Sequence, residues 1–380
     1  VTPPLSPRSS PGQRGPSGPN SAKTRGGRVL SAARDALIIL VVSALLFGAL
    51  ELGVRFVAPQ DSTTTFLEGG SLGLPDDALG HVSRPGSVTR HESPEFSVEY
   101  RVNESGLRDE TPHPMPRTPH TSRVLLVGDS FAFGACVDYE RTFAAVAERR
   151  LREEGLPVDI VKAGVSGYDT QREVIWIERL LPEYDPDAVV LVFLPNDLFT
   201  NRPLDEPLPA PEEDVAVRYR AQKSTRLHLL TLAKRLVLES DSAYRALYRR
   251  SARSAYYVQP WTDRIAEQVA ITDDLLRAAN DVCREAGIPL VVYSIPQQYQ
   301  VLAGGQGVGG LDRHFAETAA RDSFVWIPAL PGLAESYRRT GEDLFFRFDG
   351  HLNPRGCEIV GNHLAVCLRP VVENAVAPGH

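Results

Sequence analysis

Three hydrophobic patterns follow one another along the chain. From Ala36 to Leu50 no residue is charged and nearly all are apolar, and the apolar character resumes after Glu51 through Leu52, Gly53 and Val54. A membrane span takes about 20 mainly apolar residues, a length that Ala36–Val57 reaches with Glu51 and Arg55 near the interface. From residue 59 to 120 the pattern is broken by Pro and Gly, with one strand-like alternation, Phe96-Ser97-Val98-Glu99-Tyr100-Arg101-Val102. From Arg123 onward short apolar runs alternate with amphipathic stretches. Strands are expected at Arg123–Val127, Val158–Val161, Asp187–Leu194, Pro289–Ser294 and Phe324–Ile327. Helices are expected at Tyr139–Glu153, Thr170–Leu181, Ile265–Ala286 and Pro354–Leu368. The third strand is apolar at nearly every position, the mark of a parallel strand covered on both faces. Such alternation predicts an α/β protein, a doubly wound parallel sheet wrapped by helices.

These patterns divide the chain. Residues 1–28, rich in Pro, Ser, Gly and Arg, cannot bury enough surface to offset their ordering entropy and are expected to be a disordered cytoplasmic leader. Residues 29–58 form the anchor, 59–120 a short β-rich lead-in, 121–370 the main domain and 371–380 a tail. A segment at about 200–261 interrupts the main domain; it opens acidic and Pro-rich and continues basic and helix-prone, and is too long for an ordinary connection. It is expected to be either a lid or a helical side-insertion, its basic residues mostly a solvated face.

Charge sets the topology. Arg25, Arg28 and Arg34 precede the apolar run, which keeps the N-terminus in the cytoplasm and puts everything after residue 58 outside. The rival is a cleaved signal peptide, but no clean small-x-small site follows Leu50, which favours an uncleaved single-pass anchor. A buried core helix fits the basic flank least well. Both membrane readings export the main domain.

Composition narrows the chemistry. The net charge of −7 and pI near 5.8 give no nucleic-acid surface. Cys136, Cys283, Cys357 and Cys367 match no zinc spacing, and both free thiols and disulfides fit an oxidising compartment. Cys357 and Cys367 on one helix would stand about 15 Å apart, too far to pair. The Gly305–Gly310 stretch has a formal G-x-G-x-x-G spacing, but it does not directly follow a strand and reads as a glycine-dense loop.

Four segments end a strand or open a helix with residues suited to acyl transfer, where sites of doubly wound sheets form. Gly128-Asp129-Ser130 follows the first strand; Ser130 opens a helix whose free N–H groups favour negative charge, although Asp129-Ser130 also suits a plain cap. Gly167, after the second strand, can offer a backbone N–H to an oxyanion, and Asn196, in Pro195-Asn196-Asp197 after the third, a side-chain amide. In Asp349-Gly350-His351, before the last helix, the carboxylate can hold one ring nitrogen while the other takes a serine proton. Singly, each is an ordinary cap or loop. Their joint occurrence in this order points to a serine hydrolase.

This set resembles the SGNH/GDSL hydrolase superfamily, over about Arg123 to Arg369. Its signature residues fall on Ser130, Gly167, Asn196 and His351. The lead-in Asn103-Glu104-Ser105-Gly106-Leu107-Arg108 is similar to that of bacterial members with one N-terminal membrane helix. The resemblance implies a flavodoxin-like five-stranded sheet (the SGNH hydrolase fold) and ester hydrolysis through an acyl-enzyme. Ser130, Asp349 and His351 would be catalytic, and Ser130, Gly167 and Asn196 would form the oxyanion hole, with no metal or cofactor. The expected substrate is a small ester or an O-acylated envelope glycan or lipid. Three positions depart from the usual pattern. One residue separates Asp349 from His351 where many members have two, a spacing similar to alginate-type O-acetyltransferases; Pro195 replaces a common Gly; and Lys162 stands where many members carry Asn. O-acetyl transfer onto an exported polysaccharide is therefore the alternative, and a silent glycan-binding scaffold the third reading.

Overall fold

The computed structural model describes residues 25–60, 66–68, 72–110, 113–208, 227–305 and 307–376. Most of the expected leader lies outside these residues. The first helix, α1 (Arg25–Val57), begins inside the stretch assigned to it. Within Leu30–Val57 an 18-residue stretch of α1 reaches a mean hydropathy of 2.5, and Leu37, Ile39, Leu40, Leu45 and Leu46 are all more than half exposed. Those 28 residues extend about 42 Å at 1.5 Å each, more than the roughly 30 Å apolar layer of a bilayer. Near its end Arg55 and Glu51, one turn apart, form an ion pair at 3.1 Å. α1 belongs to a unit of its own, residues 1–59.

In the second unit the lead-in comes first. β1 (Phe66–Glu68), β4 (Val88–Ser93) and β5 (Phe96–Arg101) form an antiparallel sheet, and β2 (Gly73–Asp76) pairs with β3 (Gly80–Ser83) as a hairpin. The alternation seen in the sequence is β5 itself: Val98 and Tyr100 are buried while Ser97, Glu99 and Arg101 face solvent.

The main sheet is parallel throughout. β6 (Ser122–Gly128), β7 (Val158–Gly164), β8 (Ala188–Phe193), β9 (Leu290–Ser294) and β10 (Val325–Pro328) lie in the order β7-β6-β8-β9-β10. This is the flavodoxin-like order, in which the chain reverses direction across the sheet between the first and third strands. β6, β7 and β8 are buried at every position; β8 is apolar throughout, whereas β6 also buries Ser122 and Arg123, and β7 buries Asp159 and Lys162. From β6 the chain crosses to β7 through α3 (Phe143–Glu153), and from β7 to β8 through α4 (Thr170–Tyr184). Because β7 and β8 flank β6 on opposite sides, right-handed crossovers put α3 and α4 on opposite faces. α7 (Asp263–Glu285) packs on α4, and α11 (Pro354–Val376) packs on α3.

Boundaries differ from the sequence reading where local rules give out. Tyr139–Arg141 is a 3-10 turn, and α3 starts only after Thr142, whose hydroxyl accepts the Ala145 N–H. α11 runs through Pro370 to Val376, taking in most of the expected tail. Three helices were not anticipated: α8 (Gln298–Leu302), α9 (Gly310–Asp322) and α10 (Leu330–Thr340). The interrupting segment contains α5 (His228–Glu239), α6 (Asp241–Tyr248) and a 3-10 turn at Ala252–Tyr257. It docks through Tyr248, stacked on Tyr299 at 4.3 Å, and through Asp241, paired with Arg347 at 2.6 Å. All four cysteines are free thiols.

Candidate active site

The candidate site lies where β6, β7 and β8 end, at the reversal of strand order. After Gly128 the chain turns directly into the short helix α2 (Ser130–Phe133). The Asp129 carboxylate caps this helix, accepting the Phe131 N–H at 2.8 Å, while Ser130 points its hydroxyl outward. The cap is thus made by Asp129, which leaves the Ser130 side chain out of the capping role. Burial pushes the Asp129 carboxyl up, against the Phe131 N–H that favours its ionised form.

Across from α2, the loop before α11 brings His351 to the serine. His351 Nε2 lies 2.8 Å from Ser130 Oγ, and His351 Nδ1 hydrogen-bonds Asp349 Oδ1. A ring nitrogen bound to a carboxylate must carry the proton, which leaves Nε2 able to accept from the hydroxyl. The single residue between Asp349 and His351 therefore suffices, because Gly350 at φ 92° lets the loop fold back on itself. Phe131 packs on the His351 ring with centroids 4.7 Å apart. Cys136, held at φ 71° with its N–H donating to Tyr100 Oη at 2.9 Å, directs its thiol to Asp349 Oδ1 at 3.3 Å. Cys136, Asp349 and His351 are all metal-ligand types lying close together. Around a tetrahedral ion, however, ligand atoms stand about 3.3 Å apart. The Asp349–His351 contact is a direct hydrogen bond, with no room for an ion between the two.

The oxyanion candidates come from the next two strands. Gly167 sits at φ 90°, and its N–H bonds no other described residue. Asn196 follows β8, and its Nδ2 makes only a long contact, 3.5 Å, to Asp129 Oδ2, so the amide is free to turn toward a stronger acceptor. Behind it Asp197 and Glu173 are fully buried; burial first, then repulsion from neighbouring carboxylates (Asp197 and Asp129 on Glu173, Asp129 and Asp169 on Asp197), holds both well above the usual carboxylate range. Lys162 does not substitute for a site Asn. It is buried in β7, with Nζ on Glu148 Oε2 at 2.8 Å, Asp109 Oδ2 at 3.2 Å and the Ile160 carbonyl at 2.9 Å.

Ser130, His351, Asp349, Gly167 and Asn196, singled out in the sequence, thus all lie at one end of the sheet. The chain matches the sequence model of the GDSL-like lipase/acylhydrolase family over residues 126–359. The match takes in all five of these residues and more than half of the chain. The protein belongs to the GDSL-like lipase/acylhydrolase family. It is an SGNH-type hydrolase acting on ester bonds. No curated protein matches it. Among solved structures this hydrolase is similar to TesA, at 17% identity and a TM-score of 0.41, covering 66% of this chain and 99% of TesA. It is also similar to a lipase/acylhydrolase from Enterococcus faecalis (15%, TM-score 0.38, 66% and 96% covered). A Clostridium thermocellum family 3 carbohydrate esterase is similar at 15% identity and a TM-score of 0.37, with 68% and 100% covered.

Residues missed in the sequence border the candidate site. Glu95, in the turn between β4 and β5, accepts the N–H groups of Phe348 (3.0 Å) and Asp349 (2.9 Å). His81 in β3 reaches the Ser166 carbonyl at 2.9 Å. Gly164, the last residue of β7, lies against the backbone of Phe133. Only Gly164 carried any signal, as a glycine at a strand end. Glu95 and His81 come from a remote segment and leave no local pattern.

Proposed function

We propose that this protein is a serine esterase that works through an acyl-enzyme outside the cytoplasmic membrane, removing O-acyl groups from envelope glycans or lipids. The observation that carries the mechanism is the 2.8 Å contact of Ser130 Oγ with His351 Nε2, with Asp349 behind the ring. Ser130 Oγ attacks the ester carbonyl as its proton passes to Nε2, and Asp349 stabilises the imidazolium. The carbonyl oxygen, now negative, is held by the N–H groups of Ser130 and Gly167 and by the Asn196 amide. The tetrahedral adduct collapses, the C–O bond to the alcohol breaks, and His351 returns the proton to the departing oxygen. Water then repeats the sequence on the acyl-serine.

Location rests on α1. Its apolar length and the arginines of its first turns, Arg25, Arg28 and Arg34, support an anchor with the N-terminus inside and the hydrolase outside. In this reading the lead-in, residues 59–120, joins the anchor to the domain of residues 121–370, and the insertion at about 200–261 flanks the loop that carries His351.

A fluorophosphonate probe tests the mechanism. Wild type is expected to form one adduct, on Ser130, and Ser130→Ala none, with ester hydrolysis reduced by about 10^4-fold or more. Equal labelling of the two proteins would sink the acyl-enzyme. Supplying an acetyl ester with an acetyl-free oligosaccharide then separates hydrolysis, with acetate in solution, from transfer, with acetyl on the sugar.

A further inference from the structure

Two hairpins of the lead-in reach opposite sides of the candidate site. On the oxyanion side, His81 in β3 has its Nε2 2.9 Å from the Ser166 carbonyl oxygen. A carbonyl only accepts, so His81 Nε2 carries the proton and donates. The Ser166 carbonyl and the Gly167 N–H belong to one planar trans peptide and point in opposite directions. Holding the carbonyl end therefore fixes the direction of the N–H at the other end. It also polarises the peptide, making that N–H a stronger donor.

The local sequence makes such a hold necessary. Gly167 at φ 90° has no Cβ, so little in the turn itself stops this peptide from swinging. The His81 ring is in turn fixed: Tyr168 meets it edge-on at 5.4 Å, and Tyr168 Oη donates to the His81 carbonyl at 2.7 Å. The ring also lies against Gly167 itself, where a Cβ would stand 3.7 Å from His81 Cε1.

On the acid–base side the hold is made by Glu95. Its carboxylate accepts two consecutive N–H groups, those of Phe348 and Asp349, at 3.0 and 2.9 Å. The next residue, Phe96, packs on Phe346 with centroids 5.1 Å apart. The backbone that presents Asp349 and His351 is thus pinned two and three residues before the histidine.

We propose that His81 and Glu95 are positioning residues of the hydrolase: His81 orients the Gly167 oxyanion donor, and Glu95 holds the Asp349–His351 loop against Ser130. The lead-in is then a working part of the active site rather than a spacer. This rests on the acyl-enzyme reading above.

The test uses the full-length protein in detergent, with His81→Phe, which keeps the ring against Tyr168 but cannot donate, and His81→Gln, which can. With an activated acetyl ester, His81→Phe is expected to lose roughly ten- to a hundred-fold in kcat with KM within about twofold, and His81→Gln to recover most of it. The Gly167 amide resonance is expected to shift in His81→Phe and to return in His81→Gln. Glu95→Ala is expected to lower kcat, again with KM little changed, and to leave the Gly167 amide in place. Wild-type kcat in His81→Phe with an unmoved Gly167 amide would overturn the His81 assignment, and wild-type kcat in Glu95→Ala the Glu95 one. If His81→Phe does not fold, His81→Gln against His81→Asn, whose amide falls short of Ser166, decides the question. Absence of a Ser130 adduct in wild type would instead mark failure of the acyl-enzyme reading, while the amide shift still reports on His81.

Discussion

Gly164 and Phe133 meet so closely that a Cβ on Gly164 would stand 2.1 Å from the Phe133 backbone nitrogen. This contact seats α2, and with it Ser130, directly on the end of β7. The obstacle is backbone rather than a flexible side chain, so an added methyl has to push the helix away. Gly164→Ala is expected to cost about 1–3 kcal/mol of stability by overpacking. Because the displaced helix carries Ser130, kcat is expected to fall on the order of 10^2-fold even where the protein stays folded. Thermal unfolding and ester hydrolysis on the same sample check both effects; unchanged activity in folded Gly164→Ala would show that α2 does not need this seat.

The parts of this fold that were legible are those governed by local rules. A continuous apolar run marked β8, shorter apolar stretches marked β6 and β7, and the residue types after them marked Ser130, Gly167 and Asn196. The helix α8 escaped because five residues carry too little periodicity, α9 because it opens on a glycine-dense stretch, and α10 because it opens on Leu330-Pro331-Gly332, where a turn signal masks the helix start. The same limit applies to the supports of the site. His81 meets Ser166 across 85 positions and Glu95 meets Asp349 across 254, and no spacing rule links residues that only the tertiary fold brings together. Cys136, read as one of four unassigned thiols, lies beside Asp349 for the same reason.

Asn196 separates ground-state from transition-state roles. Its amide is only loosely engaged, 3.5 Å from Asp129 Oδ2, so its removal costs little in the resting protein. Asn196→Ala is expected to lower kcat by about 10^2- to 10^3-fold, some 2.7–4 kcal/mol, with KM nearly unchanged. A rise in KM at constant kcat would assign Asn196 to substrate binding instead.

In the proposed mechanism Asp349 acts through the tautomer of His351. An Asn side chain at this position can present its NH2 to Nδ1 and so move the ring proton to Nε2, where it no longer accepts from Ser130. Asp349→Asn is expected to lower kcat on the order of 10^4-fold. The loss should shrink at alkaline pH only if the serine begins to ionise without its base. Cys136→Ser, which keeps a short hydroxyl donor to Asp349, is expected to retain most activity, while Cys136→Ala loses more. Equal kcat in the two Cys136 variants would show that the thiol contact does not help hold Asp349.

Away from the site, a buried charge network ties the end of the lead-in to β7 and sets how stability depends on pH. His113 lies between Asp109 at 2.9 Å and Asp159 at 2.7 Å, and Asp109 also receives Lys162 at 3.2 Å. Burial opposes the imidazolium, but the two carboxylates outweigh it and raise His113 to about 9. Burial likewise opposes the Asp109 carboxylate, but His113 and Lys162 outweigh it and bring Asp109 down to about 2. The signs follow by linkage. His113 binds its proton more tightly in the folded state, so its contribution is fully present below about pH 6.5 and is lost as pH rises through about 9. Asp109 binds its proton less tightly when folded, so its contribution is present above about pH 4 and is lost as pH falls toward 2. The alkaline loss is on the order of 3 kcal/mol, a coupling shared between the two residues rather than added twice. Urea unfolding of wild type is therefore expected to weaken from pH 7 to pH 9.5. His113→Gln should start less stable at pH 7 and change little over that range. Parallel pH curves for the two proteins would mean that His113 is neutral in the fold and that the network is held by Lys162 on Asp109 and Arg123 on Asp159.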